Sequence, residues 1–151
     1  MMSMKTKTDG LRNGPALSDA ELNKWGHSHI EGFVPVIDRT KIPLQLSYMV
    51  PGDSTIINLD GNYKQGGTHW TAIRLSSEGP FIIYYDSFGA PPPEELVTYS
   101  RSKGIGLLYC DYKDQKIKQT NCGWRAATFL EKLAKAAKEK KEIEMFRKLC
   151  E

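Results

Sequence analysis

Three side chains in this sequence have the types that nucleophilic acyl transfer needs: Cys122, His69 and Asp86. A thiol becomes a strong nucleophile as its thiolate, and unpaired backbone N–H groups with the positive end of a helix dipole favour that form at a helix start. The apolar residues Ala126, Phe129, Leu130, Leu133 and Ala137 recur with helical period from Cys122 onward, so Cys122 is read as the first residue of a helix. Taken alone, such a cysteine is more often a small buried hydrophobe than a nucleophile. It needs a base, and His69 stands at the start of a strand-like run behind Gly66-Gly67-Thr68. A histidine base needs an acceptor to fix its tautomer and stabilise the imidazolium. Asp86 lies seventeen positions further on, at the end of the next strand-like run. Adjacent antiparallel strands would bring the two together, and Asp86-Ser87-Phe88-Gly89 reads equally well as a plain turn.

The elements that must position these groups are legible as runs. Ser54–Leu59, His69–Leu75 and Phe81–Tyr85 are strand-like and separated by turn residues, which suits an antiparallel meander. Pro93 opens a helix over about 94–102, Ile105–Tyr109 reads as a further strand, and 111–121 is polar and loop-like. Upstream, Ser18-Asp19-Ala20-Glu21 has the form of a capping box, predicting a short helix to about Trp25 that Gly26 stops. Phe33–Pro51, with prolines at 35, 43 and 51, is expected to be extended packing segments and turns. Residues 1–15 have no apolar period and read as a flexible arm, leaving 16–151 as one domain. Strand runs beside separate helices without regular alternation define an α+β fold.

Composition narrows the classes further. At 151 residues, 40% hydrophobic and 26% charged, the chain can bury a core without disulfide staples. It carries no apolar run of membrane-spanning length and no secretory leader pattern, so an intracellular, non-secreted protein with no membrane partner is expected. Cys110, Cys122 and Cys150 match no zinc spacing and are expected to be reduced, with Cys110 a buried structural thiol. His27-Ser28-His29 is read as a solvated loop, and no metal site is expected. The net charge of +3 decides nothing, although the lysines concentrated between Lys132 and Lys148 hint weakly at nucleic acid.

Gly66-Gly67-Thr68-His69-Trp70, Tyr84-Tyr85-Asp86-Ser87-Phe88-Gly89, Gln115 and Asn121-Cys122-Gly123-Trp124 occur in an order and rough spacing that resembles the adenovirus-type maturation cysteine proteases (adenain and its relatives). That family shares its core with the proteases of ubiquitin-like modifiers. The resemblance runs from about Phe33 to about Lys138. It implies a papain-like, adenain-like core: a small, mainly antiparallel sheet packed against helices, with the nucleophile at a helix N-terminus. It assigns Cys122 as nucleophile, His69 as general base, Asp86 as its orienting acid and Gln115 as side-chain donor of the oxyanion hole, with Gln119 as the alternative. Gly123 would relieve crowding beside that hole, and Trp70 and Trp124 would shape the substrate groove or pack in the core. The chemistry requires no cofactor, and the family's use of DNA and an activating peptide raises stimulation by either.

Three functional readings follow. The first is a viral or transposon-encoded endopeptidase that cleaves capsid precursors near glycine at a virus-assembly site or in the virion. The second removes ubiquitin-like modifiers. The third is a non-enzymatic interaction domain. A monomer is expected, with protein substrates and weak DNA binding through the basic C-terminal region.

Overall fold

The computed structural model describes residues 17–59, 69–111 and 121–151. The first helix, α1 (Asp19–His29), starts where the capping box places it: Glu21 N–H donates to Ser18 Oγ at 3.2 Å, and Ser18 N–H donates to Glu21 Oε1 at 2.9 Å. Gly26 does not stop this helix. A Cβ on Gly26 would lie 2.6 Å from the Phe33 ring, so the glycine admits that ring against the helix backbone, and the helix runs one turn further. His27 and His29 therefore sit in the last helical turn and not in a loop; the His29 ring stacks on Trp25 at 4.4 Å and donates from Nδ1 to the Trp25 carbonyl.

The stretch expected to be extended is more ordered than its prolines suggest. It holds a two-residue strand, β1 (Ile37–Asp38), a 3-10 turn over Arg39–Lys41 and a short helix, α2 (Ile42–Tyr48). Asp38 caps the 3-10 turn by accepting from Thr40 N–H at 2.8 Å, and Pro43 falls in the first turn of α2, where its missing N–H costs nothing.

Strands β2 (Ser54–Asn58), β3 (Trp70–Leu75) and β4 (Phe81–Tyr85) form the expected antiparallel meander. Helix α3 (Glu94–Lys103) then crosses over to β5 (Gly106–Tyr109), which pairs parallel to β4. With β1 parallel to β2 at the other edge, the sheet order is β1-β2-β3-β4-β5. The architecture is α+β, as expected, with parallel pairs at both edges.

Strand alternation divides the core in two. Ile56, Trp70, Ala72, Ile83 and Tyr85 face α4 (Cys122–Lys138), whereas Ile57, Ile73, Ile82 and Tyr84 face α2 and α3. The expected amphipathic helix is therefore α4, and Leu130 and Leu133 on it are fully buried. Tyr85 stacks on Phe129 at 4.4 Å, fixing the helix against β4.

Two ties hold the last helix, α5 (Glu142–Leu149), to this assembly. Glu142 is wholly buried and accepts from Arg74 on β3, from Ser77 N–H at 2.9 Å and from Ser77 Oγ at 2.7 Å. Arg74 spends further donors on the Gly52 carbonyl and Ser54 Oγ, each at 3.1 Å. The second tie is a disulfide between Cys110 and Cys150, whose Cα atoms lie 5.2 Å apart. The expectation of three reduced thiols is thus overturned for this pair. Forty positions separate the two cysteines in sequence, and only the packing of α5 beside the end of β5 brings them together. Cys122 is in no disulfide.

Among the described residues no helix is long and apolar enough to cross a membrane, and no cluster of metal-ligating side chains occurs. Removing one partner of the buried ion pair leaves an uncompensated charge, so Arg74→Met is expected to lower the unfolding free energy by about 3–5 kcal/mol in urea denaturation. Cys150→Ser, which opens a closed loop of about 40 residues, is expected to lower it by about 4 kcal/mol under non-reducing conditions.

Candidate active site

The end of the sheet where β2 and β4 finish and β3 begins gathers the reactive groups. His69 immediately precedes β3, and its carbonyl accepts from Leu59 N–H at 2.8 Å, which holds the residue to the end of β2. Asp86 immediately follows β4. The antiparallel register that pairs Ala72 with Tyr85 sets the two residues on neighbouring strand ends, and His69 Nε2 donates to Asp86 Oδ1 at 2.9 Å. The turn reading of Asp86–Gly89 holds at the same time: Gly89 N–H donates to the Asp86 carbonyl at 2.8 Å, with Gly89 at φ +73°. Partner and turn are one feature, because the turn buries the carboxylate and aims it at the imidazole.

Cys122 opens α4, so its backbone and the next N–H groups lie in the unpaired first turn. Its sulfur accepts a hydrogen bond from Trp70 N–H at 3.4 Å, joining the start of β3 to the start of the helix. Since Asp86 occupies Nε2, Nδ1 is the ring nitrogen left for the thiol. Burial of the His69 ring is the largest single influence on its protonation and opposes the charge. Hydrogen bonds from the ring to Asp86 and Cys122, with the negative charge of both partners, outweigh it and push the imidazolium up to about 10. At neutral pH the histidine is therefore a half-buried cation held between a carboxylate and a sulfur.

Trp70, Gly123 and Trp124, expected at a substrate groove, are all buried. Trp70 is 2% exposed and Trp124 4%, so neither offers a face to a substrate. Trp70 alternates onto the α4 side of the sheet, and its indole N–H donates to the Leu17 carbonyl at 3.1 Å. A Cβ on Gly123 would meet the Trp70 ring at 3.1 Å, so this glycine lets helix and indole approach beneath Cys122. Trp124 packs edge-on against Trp25 at 5.4 Å. These residues form the floor that fixes Cys122 in place. Gln115 and Gln119, with Gly66, Gly67 and Thr68, lie outside the described residues.

Two contributors escaped the sequence reading. Leu17, at the edge of α1, supplies the acceptor for Trp70, and nothing in its local sequence signals a contact 53 positions away. Phe88 lies tilted against His69, with ring centroids 4.9 Å apart, and its N–H donates to Asp86 Oδ1 at 2.8 Å. Its position two residues after the acid is the signal that could have pointed to it.

No protein-family model matches the sequence, and no curated protein is similar to it. Solved structures are similar in fold. The ASFV pS273R protease superposes with a TM-score of 0.57 at 18% identity over 82% of this chain, and its selenomethionine form gives 0.57 at 19% over 82%. The chain spans 59% of the first of these and 60% of the second. The SUMO protease Ulp1, with its catalytic cysteine oxidised to a sulfinic acid, gives a TM-score of 0.49 at 15% identity, covering 93% of this chain and 78% of Ulp1. The chain has a cysteine-protease fold.

The raised imidazolium carries a stability consequence. A histidine protonated more strongly when folded contributes stability that is fully present below its unfolded value of about 6.5 and is lost as pH rises through about 10. The unfolding free energy is expected to fall between about pH 6.5 and 10 in urea titrations, and His69→Gln to flatten that decline. A decline of equal size in the variant would assign it to other groups.

Proposed function

We propose that this chain is a cysteine endopeptidase in which Cys122, His69 and Asp86 act as a triad. One observation carries the reading: a thiol outside any disulfide, at a helix start, beside a half-buried histidine that is hydrogen-bonded to a buried aspartate at 2.9 Å. The cysteine-protease fold supports it.

The chemistry follows from the arrangement. The Cys122 thiolate attacks a peptide carbonyl, and the oxyanion formed is met by the Cys122 backbone N–H and, in this reading, by the Gln115 amide. The His69 imidazolium gives its proton to the departing amine as the C–N bond breaks, leaving a thioester on Sγ. Neutral His69 then takes a proton from water, whose oxygen attacks the thioester carbonyl, and the carboxylic acid leaves as the thiolate–imidazolium pair is restored. Asp86 keeps the ring oriented and stabilises its cationic form throughout.

The substrate class we propose is a structural precursor protein cut near glycine, as in viral or virus-like-transposon capsid maturation at an intracellular assembly site. The physical support is the burial of the nucleophile: Cys122 is 5% exposed, so the scissile carbonyl must approach closely, and a residue without a Cβ does so most easily. Weak binding of DNA belongs to the same reading, through Lys132, Lys135, Lys141 and Lys148 around the cleft between α4 and α5.

The test is hydrolysis of a peptide library by the full chain under conditions that keep Cys122 reduced, with and without duplex DNA. Cleavage after glycine that disappears in Cys122→Ala and falls by roughly 10²–10⁴-fold in kcat for Asp86→Ala is the expected result. Gln115→Ala is expected to cost roughly 10²–10³-fold in kcat, with Gln119→Ala near wild type. Equal cleavage after bulky residues would sink the glycine preference, and retained hydrolysis in Cys122→Ala would sink the triad.

A further inference from the structure

Oδ1 of Asp86 accepts two hydrogen bonds, from His69 Nε2 at 2.9 Å and from Phe88 N–H at 2.8 Å. The same Phe88 carries its ring back over the imidazole, with centroids 4.9 Å apart and planes inclined by 34°. One residue therefore touches both members of the pair, the acid through its backbone and the base through its ring. We infer that Phe88 is a positioning residue for the reaction: its half-buried ring holds the His69 imidazolium against Asp86 and keeps water from their hydrogen bond.

The physics separates the two contributions. The backbone donor persists in any substitution except proline, so a side-chain change at Phe88 removes only the ring. An aromatic face within about 6 Å of a cation attracts it, and more strongly where water is excluded. Losing the ring removes an attraction and lets water compete for the Asp86 oxygen, two effects that disfavour the charged imidazole, while it relieves part of the burial that opposes the charge. The first two effects prevail, because the partners already outweigh burial in the intact site. The groups that face His69 from the elements around it are Asp86 at the end of β4 and Cys122 at the start of α4; both are acidic and both favour the cation. Phe88 adds to that balance without itself titrating, so its effect is a displacement of the His69 titration with no new step.

This inference rests on the triad reading, and the experiment separates the two. The His69 ring is titrated by NMR in the full-length protein, and the rate of Cys122 alkylation by a small electrophile is followed across the same pH range. The wild type is expected to show a protonated His69 well above pH 7 and alkylation of Cys122 that follows the His69 titration. Phe88→Ala is expected to move the His69 titration down by about one unit and to narrow the alkylation window with it. Phe88→Leu, which keeps apolar volume and guards against a folding failure, is expected to fall between the two, and Phe88→Trp to restore the wild-type profile. An unchanged His69 titration in both the alanine and leucine variants, with only a loss of thermal stability, would overturn the inference and leave the triad intact. A wild type whose His69 titrates near 6.5 and whose Cys122 reacts as an ordinary thiol would overturn the triad and this inference together.

Discussion

The interaction on which the rest of this structure depends is a half-buried cation, the His69 imidazolium against the buried Asp86 carboxylate. A histidine ring taken out of water resists charging, and here the opposition from burial is the largest influence on it. The charge survives because a buried carboxylate and a sulfur are both placed within hydrogen-bond reach. That condition constrains the whole end of the sheet. The register of β3 on β4 must bring His69 and Asp86 side by side, the turn after β4 must close tightly enough to bury the acid, and α4 must begin where its first residue meets the ring. A slip of one residue in the strand pairing would turn these side chains to the opposite face.

The opposite end of β3 carries a second buried charge pair, and the two are complementary. Arg74 lies four residues from Trp70 along the same strand and binds Glu142 at the head of α5, while the disulfide fastens the far end of α5 to the residue after β5. Phe146 on α5 meets Phe129 on α4 at 6.4 Å, so α5 presses α4 onto the sheet. The start of α4 is in turn gripped by Trp70 and Leu17. The reactive sulfur is thus fixed by contacts along the entire helix, including some far from any chemistry. A buried ion pair is weak support for net stability, and its directional bonds are better understood as setting where the last helix sits.

What the sequence made legible follows from how local each signal is. The meander β2–β4, the capping box at Ser18 and the helix beginning at Cys122 all rest on periodicity or caps within a few residues, and the structure has them. Gly26 misled because local propensity treats glycine as a stop, whereas here it serves Phe33, a contact that depends on tertiary approach. The Phe33–Pro51 stretch misled in the same way, since three prolines argue against strands but do not forbid a helix that starts at one of them. The disulfide was invisible because its halves meet only after two helices have packed. At the site, residue types and order pointed to Cys122, His69 and Asp86, which the structure brings together. The same reading left the tryptophans open between groove and core because an aromatic beside a candidate catalytic residue can serve as floor or wall, and only burial distinguishes them.

The burial of the site also bears on how such chemistry tolerates sequence change. At 18% identity the fold is kept, which is expected when a core needs only apolar volume in the right pattern. The three groups of the proposed triad are not interchangeable in that way. Each sits at the end of an element: the residue before a strand, the residue after a strand and the first residue of a helix. Element ends are where backbone donors are unpaired and where side chains leave the core for a cleft, so they combine rigidity with access. A core free to drift can therefore carry a fixed chemistry, provided the strand register and the helix start are preserved. In this chain those two features depend on residues remote from the reaction, Arg74 and Glu142 among them, as much as on the reacting groups.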